Sequence, residues 1–224
     1  MGKKLLFILV LGGLVLTGCS GIQIGNPAIT GSGHVTSEPR NVSGFTSISL
    51  EGSGNVQVAF GDQESVVVEA EDNLLPLIET FVQGQQLIIR EKPLTSISAT
   101  QPINISITMK SLDGVTLAGS GNITVPGLNG DSLKVALPGS GTVRVGGTVN
   151  QVDLSLGGSG NIYCDGLKAK TATANLNGSG NITVFASESL NAAINGSGSI
   201  RYSGNPASVN KTVRGSGSIQ EQGS

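Results

Sequence analysis

Four carboxylates stand between Gly119 and Ile219 of this chain, Asp131, Asp153, Asp165 and Glu188, with Lys168 and Lys170 just after the third. Carboxylates and bases of these types cleave glycosidic bonds when they converge in a groove, and hydrolysis needs two carboxyl groups roughly 5–10 Å apart. Here they are scattered and mostly sit at turns, so they read as solvated corner charge. A second acidic group, Asp62, Glu64, Glu69, Glu71 and Asp72, could attract a cation but reads more simply as charge that keeps a strand edge soluble. Metal chemistry has little to draw on: His34 is the single histidine, and neither H-E-x-x-H nor C-x-x-C occurs. His34 is expected at a polar ladder position in a first, imperfect repeat. Tyr163 and Tyr202 are the aromatic side chains that could face a sugar ring. No cofactor and no metal are expected.

The residues that dominate the chain are glycines. Gly-Ser-Gly occurs with starts at 31, 52, 119, 139, 158, 178, 196 and 215, and from Gly119 onward successive starts are 20, 19, 20, 18 and 19 residues apart. A phosphate-binding loop is not implied, since no Gly-Lys-Ser/Thr follows. Calcium-binding β-roll repeats are not implied either, because they need an aspartate in every unit where this chain has Thr, Arg or Tyr. A fixed period near 20 residues is the mark of a solenoid.

Each repeat carries short runs of alternating apolar and polar residues on both sides of the glycines, such as Val115-Thr116-Leu117 before and Asn122-Ile123-Thr124-Val125 after the triplet at Gly119, Ser120 and Gly121. Alternation of period two is a half-buried strand. Stacked one turn upon the next, these strands place Ile123, Val143, Ile162, Ile182, Ile200 and Ile219 in one apolar column and Val125, Val145, Cys164 and Val184 in another. Asn122, Thr142, Asn161, Asn181, Ser199 and Ser218 fall in an adjoining polar column able to hydrogen-bond along the axis. The glycines serve a corner that needs either positive φ or close backbone approach. The structural ladder is therefore Gly119, Ser120, Gly121, Gly139, Ser140, Gly141, Gly158, Ser159, Gly160, Gly178, Ser179, Gly180, Gly196, Ser197 and Gly198, with the serines either stacked as hydroxyls or turned to solvent.

Composition agrees with this all-β reading. Glycine numbers 34 of 224 residues, charged residues are 12%, aromatics 3% and tryptophan is absent, a profile suited to a core of Val, Ile and Leu. The net charge of −2 gives no general attraction to nucleic acid.

The N-terminus reads as a targeting segment. Lys3-Lys4 precede an apolar run from Leu5 to Leu16, too short for a comfortable membrane span. Leu16-Thr17-Gly18-Cys19 resembles a bacterial lipoprotein signal, which implies removal of residues 1–18 and lipidation (palmitate among the acyl groups) of Cys19. Ser20 after the cysteine implies the outer membrane if the cell is Gram-negative. Residues 19–33 are then the anchor and a tether, with Gly25-Asn26-Pro27 as a turn, and 34–220 the domain. Cys164 takes a valine position in its column and reads as a small buried apolar residue. Between His34 and Lys110 the repeat is less regular. Strands are expected at 65–70, 86–91 and 103–109, with a short helix from Asn73, as N-cap, to Val82.

The run Gly-Ser-Gly-Asn-Ile at 119–123, 158–162 and 178–182, with the opening Arg40-Asn41-Val42-Ser43-Gly44-Phe45-Thr46-Ser47-Ile48, resembles the auto-transporter adhesin, head GIN domain family over roughly residues 34–220. The resemblance implies a right-handed parallel β-helix-like solenoid on the bacterial surface, a role in adhesion and no catalytic residues. The expected function is a non-catalytic, lipid-anchored cell-envelope interaction module whose repetitive polar face meets a glycan or envelope polymer. A carbohydrate-active β-helix enzyme and a self-assembling structural protein, joined through the thinly capped last turn near Ser218, remain the alternatives.

Overall fold

Residues 27–222 are described by the computed structural model. Leu5–Leu16 and Cys19, on which the lipoprotein reading rests, lie outside the described residues. Eighteen strands follow in order: β1 (Ile29–Thr30), β2 (Val35–Arg40), β3 (Ser47–Leu50), β4 (Asn55–Phe60), β5 (Ser65–Glu71), β6 (Ile78–Gln83), β7 (Gln86–Glu91), β8 (Ile97–Ser98), β9 (Asn104–Met109), β10 (Gly114–Leu117), β11 (Asn122–Asn129), β12 (Ser132–Leu137), β13 (Thr142–Leu156), β14 (Asn161–Leu176), β15 (Asn181–Asn195), β16 (Ser199–Ser203), β17 (Ser208–Arg214) and β18 (Ser218–Glu221).

The alternation before and after each Gly-Ser-Gly becomes two parallel ladders around one core. After the corner, β9, β4, β11, β13, β14, β15, β16 and β18 pair in turn. Before it, β7, β3, β10, β12, β13, β14, β15 and β17 do the same. The fold is thus a β-solenoid with rungs of about 20 residues. Val56, Ile123, Val143, Ile162, Ile182 and Ile200 stand in register and are fully buried. Val125, Val145, Cys164 and Val184 are likewise buried. Each such side chain contributes about 1.5–3 kcal/mol when fully removed from water. No single rung could bury this surface alone; the stack does.

Rung length varies, and one corner absorbs the variation. At the Gly-Ser-Gly corner the pairing stays continuous from rung to rung. At the opposite corner the register slips between Val125 and Leu128, between Arg144 and Gly147, and between Cys164 and Lys168. These are bulges that let an 18-residue turn lie on a 20-residue one.

The N-terminal end is finished by reversed strands. β5 runs antiparallel to β9, β2 antiparallel to β5, and β6 antiparallel to β7. The expected helix over 73–82 is not formed. One 3-10 turn covers Leu75–Leu77, capped by Leu74 without a side-chain bond, and Ile78 then enters β6. Asn73 is not an N-cap: its amide donates to the Thr30 carbonyl and its carbonyl oxygen accepts from the Ser32 N–H. The hairpin wins because Ile78, Thr80 and Val82 favour a strand, and Gly84 at φ 64° supplies the turn. Ile29 and Thr30, read from the sequence as tether, pair with Ile97 and Ser98 and belong to the domain.

Candidate functional site

The Gly-Ser-Gly corner is a backbone structure with a side-chain rim. The carbonyls of Gly121, Gly141, Gly160, Gly180 and Gly198 accept the N–H of Thr142, Asn161, Asn181, Ser199 and Ser218 in the next rung, at 3.0–3.3 Å. The carbonyls of Gly119, Gly158 and Gly178 accept the N–H of Ser140, Ser179 and Ser197. A Cβ on Gly160 or Gly180 would fall inside the carbonyl oxygen of the glycine one rung below. None of the ladder glycines from Gly119 to Gly198 has positive φ. Of the two reasons the sequence offered for glycine, close approach is the one that operates. Ser120, Ser140, Ser159, Ser179 and Ser197 are exposed, so their hydroxyls line the corner as an open row facing solvent.

Beside it runs the polar column. Asn104 donates to Glu69 (2.9 Å), Asn55 to Asn104 (3.2 Å) and Asn122 to Asn55 (3.0 Å). Thr142 interrupts the chain of amides. It resumes with Asn181 donating to Asn161 (2.9 Å) and Ser199 donating to Asn181 (2.6 Å). His34 is not in this column; it precedes β2 beside Asp72, whose N–H donates to the His34 carbonyl.

The carboxylates do not converge. Asp131 accepts from Asn150 (2.6 Å), Asp153 from Gln151 (3.2 Å) and Asp165 from Thr183 (2.8 Å). Lys168 places its ammonium 4.0 Å from the Phe185 ring centre. Four of the five N-terminal acids are also separately engaged. Glu64 accepts from the Gly44 N–H and Glu69 from Asn104. Asp72 accepts from Ser32 and Asn73, and the Ser32 hydroxyl holds its carboxyl below the usual range. Glu71 is buried rather than a soluble edge charge, and it accepts from Gly33 (2.7 Å), from the N–H and hydroxyl of Thr100, and from Gln101 (3.3 Å). The Thr100 hydroxyl is the main reason its carboxyl is held below the ordinary 4.5, against the opposing effect of burial. Among the described residues no three of His, Cys, Asp or Glu are grouped to hold a metal ion.

A further polar strip emerges from the register. Thr124, Arg144, Tyr163, Thr183, Arg201 and Gln220 are successive partners across β11, β13, β14, β15, β16 and β18 on the side away from the core, with Thr183 covered by its neighbours. Arg144 lies over the Tyr163 ring at 4.1 Å. Tyr202, the other aromatic candidate, points inward and is buried under Lys211. At the bulged corner Gly146 and Gly166 carry no side chain, and a concavity of about 260 Å³ opens beside Arg144, Tyr163 and Asp165. It continues into one of about 450 Å³ lined by Tyr163, Asp165, Thr183, Arg201, Gln220 and Glu221. The phase of Arg144, Tyr163 and Arg201 was present in the repeat; the corner glycines that hollow the surface beside them were the missed signal.

Fold and surface together define a parallel β-solenoid that displays ordered polar columns. The chain belongs to the family described as putative auto-transporter adhesin, head GIN domain, whose sequence model matches residues 44–206. It is similar to a solved putative adhesin from Bacteroides fragilis NCTC 9343, with 25% identity and a TM-score of 0.72 over 87% of this chain and 100% of that one. A putative lipid binding protein from Parabacteroides distasonis ATCC 8503 shares the fold at 24% identity and a TM-score of 0.55, covering 88% of this chain and 100% of that one. A putative adhesin from the same organism does so at 22% and 0.56, with the same coverage. No curated protein matches the chain.

Proposed function

We propose that this protein is a non-catalytic interaction module of the bacterial cell envelope, held to a membrane by lipid on Cys19 and engaging a repetitive glycan or envelope polymer. The carrying observation is the exposed serine row at the Gly-Ser-Gly corner, one hydroxyl per rung, which recurs about every 4.8 Å along the axis. A polymer with a similar repeat can touch many rungs at once. Individually weak hydrogen bonds then sum through high effective concentration. Membership in a family named for adhesins supports this reading. The separate engagement of Asp131, Asp153 and Asp165 favours it over glycan cleavage.

Retention of the native protein, but not of a denatured control, on envelope polymers or a glycan array tests the binding role. Uniform failure to bind, or turnover of a bound polysaccharide, would refute it. Labelled palmitate entering the wild-type chain, and not a Cys19→Ala variant, tests the anchor.

A further inference from the structure

We infer that the strip from Arg144 to Arg201 is a binding groove for an acidic polysaccharide lying along the solenoid axis. This deepens the reading of the protein as a polymer-binding module and rests on it.

The two guanidinium groups are available for an external anion. The ion pairs among the described residues are Arg40–Glu38 at 3.2 Å and Arg90–Glu79 at 3.1 Å. Arg144 and Arg201 join neither, and both are exposed. Arg144 is also held in place. Its guanidinium lies over the Tyr163 ring, and its N–H groups, which join no ion pair among the described residues, suit a planar, bidentate partner such as a carboxylate. A stacked arginine loses less freedom on binding than a free one.

The spacing suits a polymer rather than a small anion. Arg144, Tyr163, Thr183 and Arg201 are consecutive register partners, so the two arginines stand three rungs apart, roughly 14 Å. One anion cannot bridge that distance, but a chain with acidic groups a few sugars apart can. Between them the surface offers groups suited to hydroxyls. Tyr163 presents its phenol, and Gln220 lies at the far end. The Asp165 carboxylate, one oxygen of which accepts from Thr183, keeps the other for a sugar hydroxyl.

The same carboxylate decides between polyanions. Asp165 and Glu221 lie on the groove. A nucleic acid, with a phosphate at every step, would bring charge against both. An acidic glycan places neutral hydroxyl-bearing sugars there. The larger concavity at the other end, about 480 Å³ beside Arg40, Arg90 and Lys92, is less suited, because Glu38 and Glu79 already occupy its guanidiniums.

The test is affinity electrophoresis of the full chain in gels containing hyaluronan, gellan, fully methyl-esterified hyaluronan or duplex DNA, the first two carrying carboxylates separated by neutral sugars. Retardation by hyaluronan or gellan, weakened at least tenfold in an Arg144→Gln/Arg201→Gln double variant of unchanged melting temperature, is expected. Arg144→Lys should recover only part of the loss. Wild-type retardation that the double variant leaves intact, or equal retardation by the esterified polymer, overturns the groove while leaving polymer binding standing. Stronger retardation by DNA overturns the glycan assignment. Absence of retardation on every acidic glycan overturns the inference; if envelope polymers also fail to retain the protein, the broader reading falls with it.

Discussion

Lys211 stands in register with Ala192, in an inward-facing column, and its ammonium lies 4.6 Å from the ring centre of Tyr202. The same column holds Val135, Leu154 and Ala174 lower in the stack, all buried. In the last turn an exposed, charged side chain therefore continues the register of the core column. Its aliphatic stem covers the apolar end while the charge rests on an aromatic face. An inward-pointing charge is a recognised way to keep a sheet edge from recruiting another.

Replacing Lys211 with Leu continues the column to the exposed end, where Val209 and Val213 are already 38% and 45% accessible. The variant should fold and associate end to end. Light scattering should give a larger mass than wild type at equal concentration, and an unchanged mass would show that Lys211 does not guard the end.

The corner glycines and serines should respond oppositely. Gly180→Ala places a methyl group where the Gly160 carbonyl accepts the Asn181 N–H, so rungs must separate. A loss of about 2–4 kcal/mol is expected, the range for overpacking combined with a broken buried hydrogen bond. Ser179→Ala, one residue away and exposed, should change stability by less than about 0.5 kcal/mol. Urea denaturation of the pair reads the difference directly.

That contrast shows why the corner was only half legible in the sequence. Gly-Ser-Gly announced a tight, recurring turn, yet composition could not distinguish positive φ from contact with a neighbouring backbone. The Ile162 and Ile182 column was legible because the period places like residues over like. The segment from Asn73 to Val82 was misread because Asn73 and Pro76 carry helix-start signals. The competing hairpin signal, strand-forming Ile78, Thr80 and Val82 ahead of Gly84, was stronger once β7 stood beside it. Lys211 was hidden for a different reason: an alternating pattern ordinarily assigns a lysine to the outside.

Cys164 is fully buried, and burial, aided by the neighbouring Asp165 charge, raises its thiol from 9.0 to about 12. The neutral thiol is the form the fold accepts. Stability from this group is complete below pH 9. It should fall as pH rises from 9 toward 12, where the unfolded chain releases a proton that the folded one keeps. In a Cys19→Ala background, Cys164 should resist a thiol reagent until the protein unfolds. Cys164→Val should flatten the alkaline decline. Rapid labelling of the native protein would contradict both.

Glu71 gives the opposite slope in acid. Its carboxyl is held below 4.5, so its contribution is present above that value and is lost as pH falls through the folded group's own titration. Glu71→Gln keeps the shape but leaves one acceptor oxygen for four donors. The variant should melt lower than wild type at pH 7, and the gap should narrow at pH 3. A gap independent of pH would assign the effect to packing alone.

Because Gly121, Gly141, Gly160, Gly180 and Gly198 each offer the next turn the same carbonyl, the seams at this corner are interchangeable. An in-frame duplication or deletion of one complete coil keeps the seam at this corner, and the bulged corner opposite takes up the difference in length. Descendants of such a gene can grow or shrink by whole coils, tuning how far the domain reaches, whereas a side chain at Gly160 or Gly180 would collide with the carbonyl of the coil below.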